Sequence, residues 1–321
     1  MKPWDELTER GKLRRLRSVA AAALGDYDVD ARRVSLIGGF VNALYRVDTP
    51  DGPLALRVDL VQEHTDENML IELSWLEALD GLVDVSVPRR TKQGELFTRA
   101  SVAGVPDERR CVLFSWVPGR PLADRYSPEL FEPYGRISAA LHVHGATHPT
   151  PTKPMAWDRV FYFSEEVDPV VYHVPENAAR LPKGGLEVIE RTIELVQPRL
   201  EVQGERQIVH GDLHLWNVHV SRGRLWALDF ADVMWASRAQ DLAITFYYFQ
   251  GRPDADELSA AFRRGYEQIA PWPTDDEELA VFMAARRVMM TNFVFNIDMD
   301  DLDGFLAGSV ERLQGFLDTY E

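Results

Sequence analysis

The sequence predicts a two-lobed α+β fold: an N-terminal lobe with a mainly antiparallel sheet and one key helix, and a larger, mostly helical C-terminal lobe. Three observations carry this reading. Short strand-like runs separated by turn residues crowd residues 34–58, 96–101 and 111–117. The last of these, the apolar run ending at Val117, stops at Pro118-Gly119-Arg120-Pro121, a linker signature. Beyond it, apolar residues recur at helical spacing almost to the last residue. The division falls at 1–117 and 118–321.

In the first part, Leu7, Leu13, Leu16, Val19, Ala20 and Leu24 sit at helical spacing over residues 5–24, with Gly25 as the stop. Strands follow at 34–37, 43–47 and 54–58, the last two joined by the turn Pro50-Asp51-Gly52-Pro53. Gly38-Gly39-Phe40-Val41-Asn42 joins the first two, and Gly38 and Gly39 would let backbone amides approach a phosphate. Neither a dinucleotide-binding G-x-G-x-x-G nor a Walker loop occurs. The third strand, Leu54-Ala55-Leu56-Arg57-Val58, carries one basic residue. Over 66–80 Met69, Leu70, Leu73, Leu76 and Leu79 recur at the spacing of an amphipathic helix, which contains Glu72, with Glu67 and Glu77 as alternatives.

In the second part, helical patterns cover 130–143, 186–200, 257–269, 276–292 and 305–320, and another begins at Asp241. Residues 146–185 are rich in proline and aromatics, a long irregular stretch of the kind that borders a substrate or simply connects helices. His142 and His144 invite a metal reading, but residues two apart on a helix face different ways. No third ligand accompanies His214 or His219. The acidic run 298–304 fails the calcium-loop pattern, because Met299 falls where the first carboxylate is needed, and reads as a loop and helix cap.

The chemistry concentrates in one stretch, Ile208-Val209-His210-Gly211-Asp212-Leu213-His214-Leu215-Trp216-Asn217-Val218. Its H-x-D-x-x-x-x-N spacing is that of a kinase catalytic loop. Phosphoryl transfer needs a carboxylate to orient the attacking hydroxyl and accept its proton, which Asp212 supplies. It also needs oxygen ligands for Mg²⁺, which Asn217 and Asp229 supply. Two short strands, 218–220 and 225–228, flank Arg222-Gly223 as a hairpin turn, which would return Asp229 toward Asn217. His210 reads as scaffold for the loop.

The motif His210-Gly211-Asp212-Leu213-His214-Leu215-Trp216-Asn217-Val218, then Asp229-Phe230-Ala231-Asp232, then Asp241-Leu242-Ala243, resembles the aminoglycoside phosphotransferase and choline-kinase-like family of the protein-kinase-like superfamily. The resemblance spans nearly the whole chain and implies a protein-kinase-like two-lobed fold. It also implies an ATP-dependent small-molecule kinase, with GTP an open alternative donor. By this likeness Arg57 takes the place of the nucleotide-binding lysine, and Glu72 positions it. Arginine keeps the charge and adds a bidentate fork. The backbones of Ser115 and Val117 would hold the base, Gly38 and Gly39 would cover phosphate, and Asp241 would support the catalytic loop.

The reading is therefore Mg²⁺-dependent transfer of the ATP γ-phosphate to a hydroxyl of a small molecule. A Ser/Thr protein kinase of the same fold and a non-catalytic nucleotide-binding module are the alternatives. The formal net charge of −16 argues against nucleic acid and anionic membrane as partners and is compatible with a cationic acceptor. The single Cys111 leaves no internal disulfide. With no apolar run long enough for a membrane span and no secretion signal in view, a cytoplasmic location is expected.

Overall fold

β-Branched and aromatic residues punctuated by tight turns build the sheet of the N-terminal unit. The computed structural model describes all residues except 1, 40, 41, 61–64, 151, 153, 203 and 204. Phe40 and Val41 of the Gly38–Asn42 connection thus lie outside the described residues. Two units are present, one of Met1–Gly119 with Trp226–Ala231, the other of Arg120–Leu225 with Asp232–Glu321.

The first unit opens with α1 (Glu9–Ala23). The expected helix began at residue 5, but a 3₁₀ turn occupies Trp4–Glu6 and the Thr8 hydroxyl, accepting from the Gly11 amide, caps the α-helix one turn later. Strands β1 (Arg33–Gly39), β2 (Asn42–Thr49), β3 (Gly52–Asp59), β4 (Thr98–Ala100) and β5 (Arg109–Ser115) form an antiparallel sheet in the order β1-β2-β3-β5-β4. Leu16, Val19, Tyr45, Val47, Leu56, Val58, Leu113 and the buried Cys111 make its core against α1. Helix α2 (Asp66–Ala78) is capped by Thr65 and buries Met69, Leu73, Trp75 and Leu76, but also Glu72.

The second unit begins with β6 (Arg120–Pro121) and α3 (Pro128–Gly145), whose first position is a proline. After α4 (Pro175–Ala178) and α5 (Gly185–Glu201) come β7 (Gln207–Val209), β8 (Val218–Ser221), β9 (Arg224–Ala227) and β10 (Met234–Ala236). Strands β7 and β10 pair antiparallel, and β8 lies between β6 and β9. Arg222 and Gly223, at φ 52° and 79°, make the expected hairpin turn between β8 and β9. Helices α6 (Arg238–Tyr247), α7 (Ala255–Glu267), α8 (Asp276–Phe293) and α9 (Leu302–Tyr320) complete the unit.

Its core, with Ile189, Val196, Ile244, Val288, Leu306 and Leu313, lies among α5, α6, α8 and α9. The proline-rich stretch is not merely a solvated connection, since Trp157, Val160 and Tyr162 are buried in that core. Helix α6 starts three residues before Asp241, because Ser237 and Gln240 form a capping box: the Gln240 amide donates to Ser237 Oγ and the Ser237 amide to Gln240 Oε1. Asp301 caps α9 by accepting from the Gly304 amide, so the acidic run serves the expected helix cap.

Helices α3 and α7 approach so closely that a side chain fits at neither Gly135 nor Gly265. A Cβ on Gly135 would lie 1.9 Å from the Phe262 carbonyl oxygen, and one on Gly265 would lie 1.8 Å from that of Glu132. Gly135→Ala is expected to destabilise the chain by about 3 kcal/mol through forced separation of the two backbones. A thermal melt unchanged by that substitution would contradict the close crossing.

Candidate active site

The loop after β7 is fixed before it presents any side chain. Gly211 takes φ 80°, and a Cβ there would meet the Asp232 carbonyl oxygen at 2.1 Å and Met234 Cε at 2.8 Å. The position between His210 and Asp212 therefore accepts only glycine. Its amide donates to Asp241 Oδ1 at 2.8 Å. The other oxygen of Asp241 accepts from His142 Nε2 of α3 at 2.9 Å, and His142 Nδ1 lies 2.8 Å from the Tyr266 hydroxyl of α7. Further along, the Leu213 carbonyl accepts from Tyr134 Oη at 2.6 Å and from Thr245 Oγ1 at 2.7 Å. His210 is buried, and its Nδ1 accepts from the Asp212 amide at 3.2 Å, which is the scaffold role expected of it.

On that base Asp212 is held by three side chains. Asn217 Nδ2 donates to its Oδ2 at 3.1 Å and to its carbonyl at 3.0 Å. His214 Nε2 lies 3.3 Å from the same Oδ2. The amides of Trp216 and Asn217 both donate to His214 Nδ1 at 3.2 Å, so the proton of the neutral ring sits on Nε2 and points at Asp212. Oδ1 accepts from Arg286 Nη2 of α8 at 2.9 Å. Arg286 also donates to Tyr162 Oη at 2.8 Å and Tyr248 Oη at 3.2 Å. Burial pushes the Tyr248 phenol up to about 12, so it stays a neutral partner of the guanidinium. The rings of His214, Trp216 and Tyr248 meet edge to face beside the carboxylate, and Trp216 is 51% exposed.

In the first unit, β3 and α2 bring Arg57 and Glu72 together as expected. The guanidinium fork meets the carboxylate with two bonds of 2.7 Å, and both groups are buried. Glu72 is the partner because it lies on the buried face of α2. Glu67 is exposed and Glu77 pairs with Arg90 at the surface. Burial alone would lower the Arg57 pKa, but Glu72, with Asp59 and Asp229, raises it instead. Among the described residues two of the five guanidinium donors are used, both by Glu72, and Nε has no partner. Asp229 sits in the left-handed region at φ 59°, a strained backbone that recurs at functional sites. The next residue, Phe230, is buried with its ring 5.4 Å from that of Trp75 on the helix that carries Glu72.

Gly38 and Gly39 end β1 at an irregularity in its pairing with β2. The space beside Gly38 is open, whereas Asn42 fills the space at Gly39. The Ser115 amide donates to Val87 at 2.8 Å and its carbonyl accepts from Ser86 Oγ at 3.1 Å.

A model of the phosphotransferase enzyme family, APH, matches residues 33–280. The chain belongs to this family. It is similar to the amicoumacin kinase of Bacillus subtilis (strain 168), at 22% identity over 263 residues, covering 77% of this chain and 75% of that one. A microcompartment-associated aminopropanol kinase superposes with a TM-score of 0.75 at 22% identity, covering 94% of this chain and 98% of that one. The amicoumacin kinase hAmiN, solved with AMP-PNP, Ca²⁺ and Ami, gives a TM-score of 0.72 at 17% identity, covering 93% of each chain. These likenesses establish the kinase-like fold.

For a phosphotransferase, the donor chemistry of Asn217 and Asp229 fits a hard divalent cation. The Asn217 nitrogen is committed to Asp212, which leaves its carbonyl oxygen as an available ligand, and Asp229 offers an exposed carboxylate. Sequence reasoning missed Arg286, Tyr162, Tyr248 and the role of His214. A usable signal existed for Arg286, since Arg286-Arg287 interrupts an otherwise apolar run from Val281 to Met289 on a helix.

Asp241 is held below the ordinary carboxylate range. Burial acts to raise it, but the hydrogen bond and charge of His142, the charge of His210 and the Gly211 amide outweigh burial. A depressed carboxylate contributes stability that is present above its unfolded pKa, about 3.9, and lost as pH falls through the lower folded value. The stability gap between wild type and Asp241→Asn, read from urea melts, is expected to hold from about pH 7 to about pH 5 and to close below about pH 4. A gap unchanged down to about pH 3 would mean that Asp241 is not an ionised anchor.

Proposed function

We propose that this phosphotransferase moves the γ-phosphoryl group of Mg²⁺-ATP to a hydroxyl of a small molecule, with Asp212 as the group that receives the hydroxyl. The observation that carries the reading is the state of Asp212: a carboxylate pinned by Asn217, His214 and Arg286 on a loop whose backbone is itself anchored. When bound, Mg²⁺-ATP supplies the phosphoryl group that the acceptor oxygen takes up, with ADP as the leaving product. Asn217 and Asp229 would hold the metal. Arg57, set by Glu72, would hold phosphate with its remaining donors, Gly38 and Gly39 would cover phosphate, and the backbones of Ser115 and Val117 would take the base.

Each carboxylate oxygen has two lone pairs and can accept more than one hydrogen bond. The acceptor hydroxyl donates there and is aimed by it. Arg286 sets the carboxylate orientation. Direction matters in a reaction in which the bond to the leaving oxygen is largely broken before the hydroxyl proton must go. The proton then moves to a carboxylate oxygen of Asp212. The exposed face of Trp216, with Tyr248 and His214, lies where an acceptor would rest, and an aromatic face takes an apolar or cationic group equally well. The kinases named above fit a small acceptor, and the acidic chain suits one that bears an amine.

Release of ADP in the presence of Mg²⁺, measured against a panel of hydroxyl compounds with and without amines, tests this. Asp212→Asn is expected to lower acceptor-dependent release by at least about 10³-fold, and Asp229→Ala to remove Mg²⁺-dependent turnover, both with unchanged thermal melts. Wild-type rates in either variant would overturn the assignment, and transfer confined to proteins would favour the protein-kinase alternative.

Arg286→Lys keeps the charge but loses the fork. It is expected to lower kcat by about 10–100-fold with little change in KM for ATP. A change confined to KM would place Arg286 outside the reaction.

A further inference from the structure

Helix α8 carries two consecutive arginines with different fates. Successive helix positions are turned by about 100°, so Arg286 and Arg287 leave different faces. Arg286 meets Asp212. Arg287 lines a cavity of about 260 Å³ together with Arg312 of α9, Gln250, Met283, Phe316 and Tyr320. None of these residues bonds Asp212, so the cavity is separate from the catalytic carboxylate.

Among the described residues, neither Arg287 nor Arg312 forms an ion pair, although the chain has 51 acidic residues against 35 basic ones. Arg287 is only 6% exposed, and its guanidinium lies 4.8 Å from the Tyr247 ring centre. Arg312 is exposed at the opening, with one long contact of 3.3 Å to the Gly308 carbonyl. Burial, the largest influence, and then Arg312 push the Arg287 pKa down, and Tyr247 offsets them only in part. A buried guanidinium is ordinarily paired, because an uncompensated charge is costly in a poorly solvated site. Here two guanidiniums border one cavity and no carboxylate answers either.

We propose that this cavity is a binding site for a small organic anion, its carboxylate or phosphate held by Arg287 and Arg312 and its apolar body by Met283 and Phe316. Arginine suits both head groups, because its planar fork bonds two oxygens at once. The size also fits, since a cavity of about 150 Å³ already admits a benzene ring. One ring bearing one anionic group is the scale implied. The site stands apart from the phosphotransfer reaction and its proposal does not depend on the acceptor.

The test uses the full chain and three probes built on one phenyl ring, namely benzoate, phenyl phosphate and the neutral benzamide, which matches benzoate in shape. Binding is followed by calorimetry at constant ionic strength with chloride as the other anion, in wild type and Arg312→Gln. Arg312 is exposed, so the variant is expected to keep its melting temperature and its nucleotide binding. One or both anions should bind saturably with one site per chain. Benzamide should bind at least about ten-fold more weakly, and Arg312→Gln should weaken the anion by about ten-fold or more. The anion preferred identifies the head group as carboxylate or phosphate. Absence of saturable binding of either anion by about 10 mM, equal binding of benzamide, or equal binding by the variant would each overturn the proposal.

Discussion

The buried carboxylate of Asp241 is the constraint on which the reactive loop depends. It is a fixed charge inside the second unit, reached from α3 by His142 and from the loop by the amide of Gly211. A buried carboxylate is tolerated only where hydrogen bonds replace its water, and here those donors belong to separate elements. The same requirement therefore aligns α3 and α6 with the loop. Gly211 completes the arrangement by letting the loop backbone pass against Asp232, where any side chain would collide. The loop can then hold Asp212 with no regular secondary structure of its own.

That rigidity changes what Asp212 can do. A carboxylate with free rotation would point nowhere in particular. Arg286, Asn217 and His214 give it a direction. In phosphoryl transfer direction matters most, because positioning and charge stabilisation outweigh proton removal. Arg57 and Glu72 follow the same logic in the first unit. Two parallel bonds fix a guanidinium plane, and its unused donors face whatever is placed before them.

The legible part of the molecule was the part encoded locally. His210, Asp212 and Asn217 lie within eight residues, and their roles follow from spacing and side-chain chemistry. The hairpin at Arg222-Gly223 follows from a two-residue turn. Glu72 could be named from helix periodicity but separated from Glu67 and Glu77 only by burial. Arg286 stood out as a charge in an apolar run, but its partner was out of reach, being 74 residues away in sequence and dependent on how α8 packs. The start of α6 was misplaced because the acidic Asp241 looks like a first-turn residue, whereas Ser237 and Gln240 form the cap. The proline-rich stretch concealed core residues for a related reason. Without periodicity, Trp157 and Tyr162 give no sign of which way they face, and tertiary packing decides it.

Arg286 and Arg287 show how little charge alone predicts. Both are buried arginines on one helix in an acidic chain, and neither residue type nor neighbourhood in sequence distinguishes them. The difference lies in what each face of α8 meets. One faces the Asp212 carboxylate and the phenols of Tyr162 and Tyr248, so its charge is answered within the protein. The other faces α9, which brings a second guanidinium instead. A fold that answers one buried cation with a carboxylate and brings its neighbour a second cation has separated two adjacent charges into different environments. Helical geometry makes that separation with a single residue step.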